Sequence, residues 1–137
     1  MAENAVLKKL KLKPGVRAAV VSAPEGYLKK LRPLPAGASL SEKLAGDFDW
    51  IQLFVRKEAD LKKSLPAVVR ALRPDGMLWI AFPKSTSKIQ SDLTRDQGWD
   101  PVKPYNLKWL TLVSVDDTWS AFALRRYRPG EARQTFR

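Results

Sequence analysis

Two apolar runs that flank an amphipathic segment constrain the fold of this 137-residue chain more than any other feature. The runs are FDWIQLFV (48–55) and MLWIAF (77–82), whose aromatic and β-branched residues predict buried strands. Between them, apolar residues recur at helical spacing from about Lys57 to Leu72. A strand, a helix and a second strand in this order form a parallel pair with a right-handed crossover. The pattern predicts an α/β fold with a Rossmann-like open, mostly parallel sheet.

The chain before these runs predicts a first strand and short helices. RAAVVSAP (17–24) is typical of a buried parallel strand, because it is rich in Val and Ala and does not alternate with polar residues. Short helices are expected at Asn4–Leu10 and Tyr27–Leu31, with a short edge strand at 38–40. Within the longer helix, Pro66 predicts either a kink or two abutting helices.

The chain after MLWIAF predicts one more helix and a terminal hairpin. Ser87 and Gln90 fit a capping box for a helix that ends before Gly98. The runs 108–115 and 118–127, joined by two aspartates, predict an antiparallel hairpin. This C-terminal hairpin completes the expected sheet.

One domain accounts for this pattern. We expect a single Rossmann-like domain over residues 1–127, with an N-terminal helix in residues 1–12 packed on it. Residues 128–137 contain few apolar residues and several arginines, so we expect a basic, disordered tail.

The absence of both cysteine and histidine limits the chemistry of the chain. It removes disulfides, thiolate nucleophiles, histidine bases and Cys/His zinc sites, so no catalytic residue, metal or cofactor is assigned. No apolar stretch approaches the roughly 18 residues that span a bilayer. Lysines interrupt the apolar residues of the N-terminus, unlike in a secretory signal. We therefore expect a cytoplasmic protein with no membrane partner.

The net charge of +11 is concentrated at the two ends of the chain. Residues 1–33 hold eight Lys or Arg against two Glu, which is +6, and residues 125–137 hold five Arg against one Glu, which is +4. A charge of this size attracts phosphate polymers. Weak nucleic-acid binding through the basic termini is therefore one hypothesis, and simple solubility is the alternative.

The candidate site follows from the rule that open α/β sheets bind ligands beyond the carboxyl ends of their strands. After the MLWIAF strand, PKSTSK (83–88) offers lysines, hydroxyls and a predicted helix N-terminus, which suit an anion. A solvated loop that caps a helix is the alternative. We expect Tyr27, Arg56, Lys84 and Trp119 to line one common cleft. The full set of ligand-binding candidates is Pro24, Glu25, Tyr27, Arg56, Lys84, Ser85, Ser87, Asp92, Asp117 and Trp119.

Two acidic groups among the candidates have alternative interpretations. Asp92, together with Arg95 and Asp96, is placed to orient a ligand, although charges at this helical spacing more often pair at a surface. Asp116 and Asp117 are placed to bind a metal or to act as an acid/base pair, although Asp is also favoured in hairpin turns.

The segment RALRPDGMLWIAFPK (70–84) resembles the region around the fifth strand of class I methyltransferases. The order strand, helix, strand, helix and hairpin resembles that family from its fourth strand onward. The resemblance implies a shortened methyltransferase-like fold. It also implies a G-x-G-x-G-type loop after the first strand and an acidic residue about 20 positions later. At these places the chain has VVSAPEGY (20–27), with one glycine and a proline, and Glu42.

The chain also resembles a family of small bacterial proteins of unknown function, along nearly its entire length. The resemblance supports the fold and implies no particular activity. Its motifs are LKPG (12–15), SAPEGY (22–27), FDWIQLFV (48–55), MLWIAFPK (77–84), SDLTRD (91–96) and DDTWSAFALR (116–125).

These observations favour a non-catalytic Rossmann-like domain that binds a small anionic ligand or a protein partner. A nucleic-acid-associated basic protein is the alternative. Residual S-adenosylmethionine-dependent methyl transfer is a third hypothesis, because the resemblance implies it even though the cofactor loop departs from the family pattern.

Overall fold

The computed structural model describes residues 5–134, which form a six-stranded sheet with helices on both faces. No helix among them is long and apolar enough to cross a bilayer. The elements, in chain order, are α1 (Ala5–Lys9), β1 (Arg17–Val21), α2 (Tyr27–Lys30), β2 (Ser39–Ser41), β3 (Phe48–Phe54), α3 (Glu58–Ala71), β4 (Leu72–Pro83), a 3-10 turn (Asp100–Val102), β5 (Leu107–Ser114) and β6 (Trp119–Arg126).

The strand order is β2-β1-β3-β4-β6-β5. The first four of these strands are mutually parallel, with Leu53 of β3 paired to Val21 of β1 and to Ile80 of β4. Strand β6 runs antiparallel to both β4 and β5, and it places Trp119 opposite Pro83. The predicted mostly parallel α/β sheet with a C-terminal antiparallel hairpin is therefore confirmed.

Each face of the sheet has its own apolar core. Helix α3 covers one face, where Leu61 and Leu65 pack on Ile51, Leu53 and other strand residues. The N-terminal segment and α2 cover the other face, which we call the N-terminal face. Here the buried residues include Leu7, Leu10, Leu31, Trp50 and Trp79. Because both faces are covered, the central strands are mostly apolar and show no alternation, with Gln52 of β3 as a buried polar exception.

The N-terminal segment is fixed to the sheet by a buried hydrogen bond. The indole Nε1 of Trp50 donates to the carbonyl of Leu10 at 2.8 Å. Leu12 is also buried, so the chain continues along the sheet after α1 ends at Lys9. The predicted helix over Asn4–Leu10 is shorter than expected, and Asn4 lies outside the described residues.

Helix α3 is one continuous helix with Pro66 inside it, and not two abutting helices. At its C-terminus, the guanidinium of Arg126 donates to the carbonyls of Val69 at 2.6 Å and Leu72 at 3.0 Å. The Val69 carbonyl also accepts a hydrogen bond from the amide of Leu72, so Arg126 adds to the capping of the helix end and stabilises the direct transition from α3 into β4.

The helix predicted from Ser87 to before Gly98 is wrong, because this segment forms turns. Ser87 Oγ donates to the carbonyl of Lys84 at 2.7 Å, and Thr94 Oγ1 accepts hydrogen bonds from the amides of Asp96 and Gln97. Side-chain hydroxyls that bond to nearby backbone groups compete with helical hydrogen bonds. The helix N-terminus expected at PKSTSK is therefore not present.

Residues 128–134 differ from the expected disordered tail, because they fold back onto the hairpin. Glu131 accepts hydrogen bonds from Arg125 and from Lys108, the latter at 2.8 Å. The Arg125 guanidinium, the Arg128 amide and the Lys108 ammonium hold the pKa of Glu131 well below its usual range. Residues 135–137 of the expected tail lie outside the described part of the chain.

Replacing Pro66 by alanine should stabilise the protein by about 2 kcal/mol, because proline donates no hydrogen bond to the preceding turn of a helix. Urea unfolding followed by circular dichroism measures this change. Ala67→Gly at the neighbouring exposed position should instead cost about 1 kcal/mol. A Pro66→Ala variant that is less stable than the parent protein would contradict this account of α3.

Candidate functional site

The order in which the chain adds strands to the sheet reverses between β1 and β3, which makes this a topological switch point. The chain leaves β1 for β2 on one side, whereas β3 leads to β4 on the other side. A crevice opens beyond the carboxyl ends of two strands related in this way, and open α/β sheets bind ligands there. A cleft of about 350 Å³ lies at this place, and we call it the switch-point cleft. Its lining residues are Ser22, Phe54, Arg56, Asp60, Lys63, Ser64 and Trp119.

Three aromatic rings in edge-to-face contact lie below and beside this cleft. The ring centroids of Tyr27 and Phe54 are 4.6 Å apart, and those of Phe54 and Trp119 are 5.0 Å apart. Tyr27 is only 1% exposed, so its ring belongs to the core of the N-terminal face. Phe54 and Trp119 also line the cleft, which gives it an apolar floor.

A buried polar pair fixes the position of Tyr27. Its hydroxyl donates to Oε1 of Gln52 at 2.7 Å, and Gln52 is completely buried in β3. Gln52 Nε2 and the indole Nε1 of its cross-strand neighbour Trp79 have no hydrogen-bond partner among the described residues. Since a buried polar group without a partner is costly, the bond from Tyr27 is the main compensation for burying Gln52.

Two cations lie at the rim of the switch-point cleft. The Arg56 guanidinium is 5.8 Å from the centroid of the Trp119 ring, and Lys63 lies on α3. The amide of Arg56 donates to Oδ2 of Asp60 at 3.0 Å, which fixes the turn from β3 into α3. Arg56 and Lys63 are balanced only by the carboxylate of Asp60, so the lining has a net positive charge.

A second cleft of about 380 Å³ lies between the loop after β4 and the terminal hairpin, and we call it the Lys84 cleft. Lys84 is held by the hairpin, because its ammonium donates to Ser114 Oγ at 2.5 Å and its amide donates to the carbonyl of Thr118 at 2.7 Å. The lining residues are Phe82, Lys84, Ser85, Thr86, Thr94, Arg95, Asp96, Leu112 and Ser120.

The turn between β5 and β6 lies at the same edge as Lys84, and Asp116 stabilises it. Oδ1 of Asp116 accepts hydrogen bonds from the amides of Thr118 and Trp119, and Oδ2 pairs with the Lys30 ammonium at 3.0 Å. Partial burial would raise the pKa of Asp116, but Lys30 and the two amides hold it below the ordinary value. Asp116 therefore has the role of a turn residue that also fixes α2.

The structure divides the predicted candidates among separate places. Arg56 and Trp119 line the switch-point cleft, while Lys84 and Ser85 line the other cleft. Tyr27 is buried and lines neither. Tyr27, Arg56, Lys84 and Trp119, which were expected to share one cleft, therefore do not line either of these two clefts together.

The remaining candidates are placed by the local backbone. Oδ1 of Asp92 accepts a hydrogen bond from the amide of Glu58 at 2.7 Å, so Asp92 caps the N-terminus of α3. Ser87 closes the turn after Lys84. Pro24 and Glu25 lie in the loop between β1 and α2, and Asp117 is exposed in the hairpin turn.

Sequence reasoning missed five of the seven lining residues of the switch-point cleft, and a helical pattern makes three of them recognisable. Asp60, Lys63 and Ser64 lie at i, i+3 and i+4 in the first turns of α3, so they share one face. The N-terminal end of a helix that follows a parallel strand lies at the carboxyl edge of the sheet, which places this face at the cleft. Ser22, directly after β1, follows from the same rule.

Solved structures of S-adenosylmethionine-dependent methyltransferases share this fold. One, from Aquifex aeolicus, has a TM-score of 0.63 and 15% identity, covering 87% of this chain and 87% of its own. The ribosomal protein L11 methylase of Lactobacillus delbrueckii subsp. bulgaricus gives 0.60 and 15%, covering 90% and 75%. A TehB-like S-adenosylmethionine-dependent methyltransferase from Corynebacterium glutamicum gives 0.57 and 13%, covering 90% and 87%.

The chain therefore has the fold of a shortened class I methyltransferase domain. At 13 to 15% identity this likeness establishes the fold alone. No protein-family model matches the chain, and no curated protein sequence matches it.

The loop after β1 tests whether the residues fit the cofactor that this fold implies. Pro24 has no N–H, and the amide of Tyr27 donates within the loop to the carbonyl of Pro24 at 3.1 Å. The Tyr27 ring turns into the core, and Gly26 is the only glycine of the loop. Glu42 directly follows β2, where a ribose-binding carboxylate is expected. The position of Glu42 after β2 agrees with the family pattern, but the loop does not provide the close backbone approach that the cofactor requires.

Tyr27→Phe should lower the free energy of unfolding by about 1–3 kcal/mol, because Gln52 loses its hydrogen-bond partner in the core. Urea unfolding at pH 7 measures this loss, with Tyr105→Phe as a control at a half-buried tyrosine. The double variant Tyr27→Phe with Gln52→Leu should recover most of the loss, because both polar groups are then removed. No recovery would show that the hydrogen bond is not what supports this part of the core.

The same tyrosine should make the protein sensitive to alkali. Burial raises the pKa of Tyr27 above its ordinary value near 10, so the folded state keeps a proton that the unfolded chain releases. The contribution of the neutral Tyr27 phenol to the free energy of unfolding is complete below a pH of about 10 and declines as the pH rises further. Unfolding measured between pH 8 and pH 11 should therefore show a steeper loss for the parent protein than for Tyr27→Phe. Equal slopes would contradict the burial of this phenol.

Proposed function

We propose that this protein is a non-catalytic, methyltransferase-like domain that binds a small organic anion in the switch-point cleft. One observation carries the proposal. Arg56 and Lys63 line a cleft of about 350 Å³ at the place where open α/β sheets bind their ligands. That volume lies at the lower end of the range for small-molecule sites, which argues for a ligand smaller than a dinucleotide.

The lining favours a ligand with a phosphate or carboxylate group and a flat apolar part. Arg56 and Lys63 supply charge-assisted hydrogen bonds to the anionic group, and the hydroxyl of Ser22 adds a neutral donor. Phe54 and Trp119 supply aromatic surface for the apolar part. These features support an aryl phosphate or a similar compound as the ligand class.

The polar groups around the cleft support binding more than catalysis. Asp60, the only carboxylate of its lining, accepts the hydrogen bond from the Arg56 amide. The chain has no histidine or cysteine to act as a base or nucleophile near neutral pH. Cations and hydroxyls hold an anion without moving a proton at pH 7.

Titration calorimetry with phenyl phosphate at low ionic strength tests this proposal. Arg56→Ala and Lys63→Ala should each weaken binding about tenfold, because each removes one charge-assisted hydrogen bond at a partly exposed site. Lys62→Ala is the matched control, since Lys62 is the adjacent exposed lysine on α3 and does not line the cleft. An equal loss in all three variants, or no binding by the parent protein at millimolar ligand, would reject the switch-point cleft as the site.

Residual methyl transfer is the second candidate, and the fold shared with S-adenosylmethionine-dependent methyltransferases together with the position of Glu42 favours it. Titration with S-adenosylmethionine separates the two candidates. We expect no saturable binding at millimolar cofactor, because the loop after β1 does not fit it. Saturable binding that is weakened by Glu42→Ala would replace our proposal with a cofactor-dependent function.

A further inference from the structure

We infer that the N-terminal face of the sheet binds the phosphodiester backbone of a nucleic acid, independently of the switch-point cleft. Two separate segments, residues 8–13 and 29–32, carry basic side chains over this face. Together we call them the basic strip. Its members are Lys8, Lys9, Lys11, Lys13, Lys29, Lys30 and Arg32, all of them exposed.

Both segments of the basic strip are tied to the end of the terminal hairpin, and the residues that follow them are hydrogen-bonded to each other at the amino edge of the sheet. At the carboxyl edge, the Lys9 ammonium donates to the carbonyl of Ser114 at 2.8 Å, and Lys30 pairs with Asp116 at 3.0 Å. At the amino edge, the amide of Gly15 donates to the carbonyl of Ala36 at 2.9 Å. The folded chain thus joins basic groups that lie about twenty residues apart in sequence.

The apolar side chains of both segments point into the core below the basic strip. Leu10, Leu12 and Leu31 are 0–4% exposed, while Lys11, Lys13 and Lys29 are exposed. Between residues 5 and 33 the only acidic residue is Glu25. The result is a predominantly basic surface on a rigid support, with Lys30 paired to Asp116 at one end.

The charge of the basic strip suits a nucleic-acid backbone. Each DNA strand carries one phosphate per about 3.4 Å of axial rise, so it presents a continuous line of negative charge. The basic side chains of the strip offer several charge-assisted contacts to such a polymer.

Arg125 and Arg126 do not extend this surface, although sequence composition grouped them with it. The guanidinium of Arg126 caps α3 on the opposite face, and that of Arg125 pairs with Glu131 at 2.7 Å. These two side chains are part of the packing of α3 and the hairpin. The basic character of the two chain ends therefore has two different causes.

A phosphate polymer fits the basic strip better than an anionic membrane does. Helices that lie in a membrane interface bury exposed apolar residues in it. Among the described residues, the exposed large apolar side chains are Leu110 and Leu112, and both lie on β5 at the far edge of the sheet. The basic strip offers charge without an apolar anchor.

Fluorescence anisotropy with a labelled 20-base-pair DNA of mixed sequence, measured from 25 to 200 mM salt, tests the inference. The parent protein should bind with an affinity that falls steeply with salt. The triple variant K11Q/K13Q/K29Q should bind at least tenfold more weakly at low salt, and the slope of log affinity against log salt should fall by about 2.7. Circular dichroism confirms that the variant is folded.

The matched control is K62Q/R70Q/K88Q, which removes the same charge from exposed positions outside the basic strip. It should keep at least half of the affinity of the parent protein. Equal weakening by both triple variants would show a non-local effect of net charge and would overturn the inference. Binding to phosphatidylserine vesicles without binding to DNA, or no binding to either, would overturn it as well.

Discussion

The hydrogen bond between Tyr27 and Gln52 is the constraint on which the carboxyl edge of the sheet depends. A glutamine at the centre of a parallel sheet needs a polar partner, and Tyr27, the first residue of α2, supplies one for the Oε1 of Gln52. The bond holds the Tyr27 ring against Phe54, and Phe54 in turn contacts Trp119. The guanidinium of Arg56 lies over Trp119. A buried neutral hydrogen bond thus determines the position of an exposed cation.

The absence of the glycine-rich loop of methyltransferases is therefore coupled to a second change, the buried Tyr27–Gln52 pair in the core. A glycine-rich loop lies close to a cofactor because it has no side chains to bury. In this chain the corresponding loop leads into Tyr27, whose side chain fills the core below it. Pro24 has no backbone N–H, so the loop also has one hydrogen-bond donor fewer. The polar partner for that tyrosine lies one strand away in β3. Restoring glycines to the loop would leave Gln52 buried without compensation.

The parts of the fold that were predictable are those in which local pattern and tertiary packing agree. The strands around Trp50 and Trp79 are nearly continuous apolar runs that are buried on both faces. The apolar residues of helix α3 recur at helical spacing on its buried face. The segment after β4 was not predictable, because its serines and threonines have helix-capping spacing but bond to turns instead. For the site, the sequence predicted the edge of the sheet at which the candidate residues lie. Its division into two clefts depends on Lys84 bonding to Ser114, a contact between residues thirty positions apart.

The side-chain amide of Gln134 has a role at the other end of the sheet. Its Oε1 accepts a hydrogen bond from the amide of Trp109 at 2.9 Å, and its Nε2 donates to the carbonyl of Trp109 at 2.7 Å. The Gln134 side chain thus makes the two hydrogen bonds that a neighbouring strand would make with Trp109 at the edge of β5. Leu110 and Leu112 are exposed next to it. Unprotected edges with apolar side chains pair with other chains and cause aggregation. Gln134 thereby occupies backbone hydrogen-bonding groups through which an edge strand pairs with another chain, and engineering that displaces Gln134 exposes them.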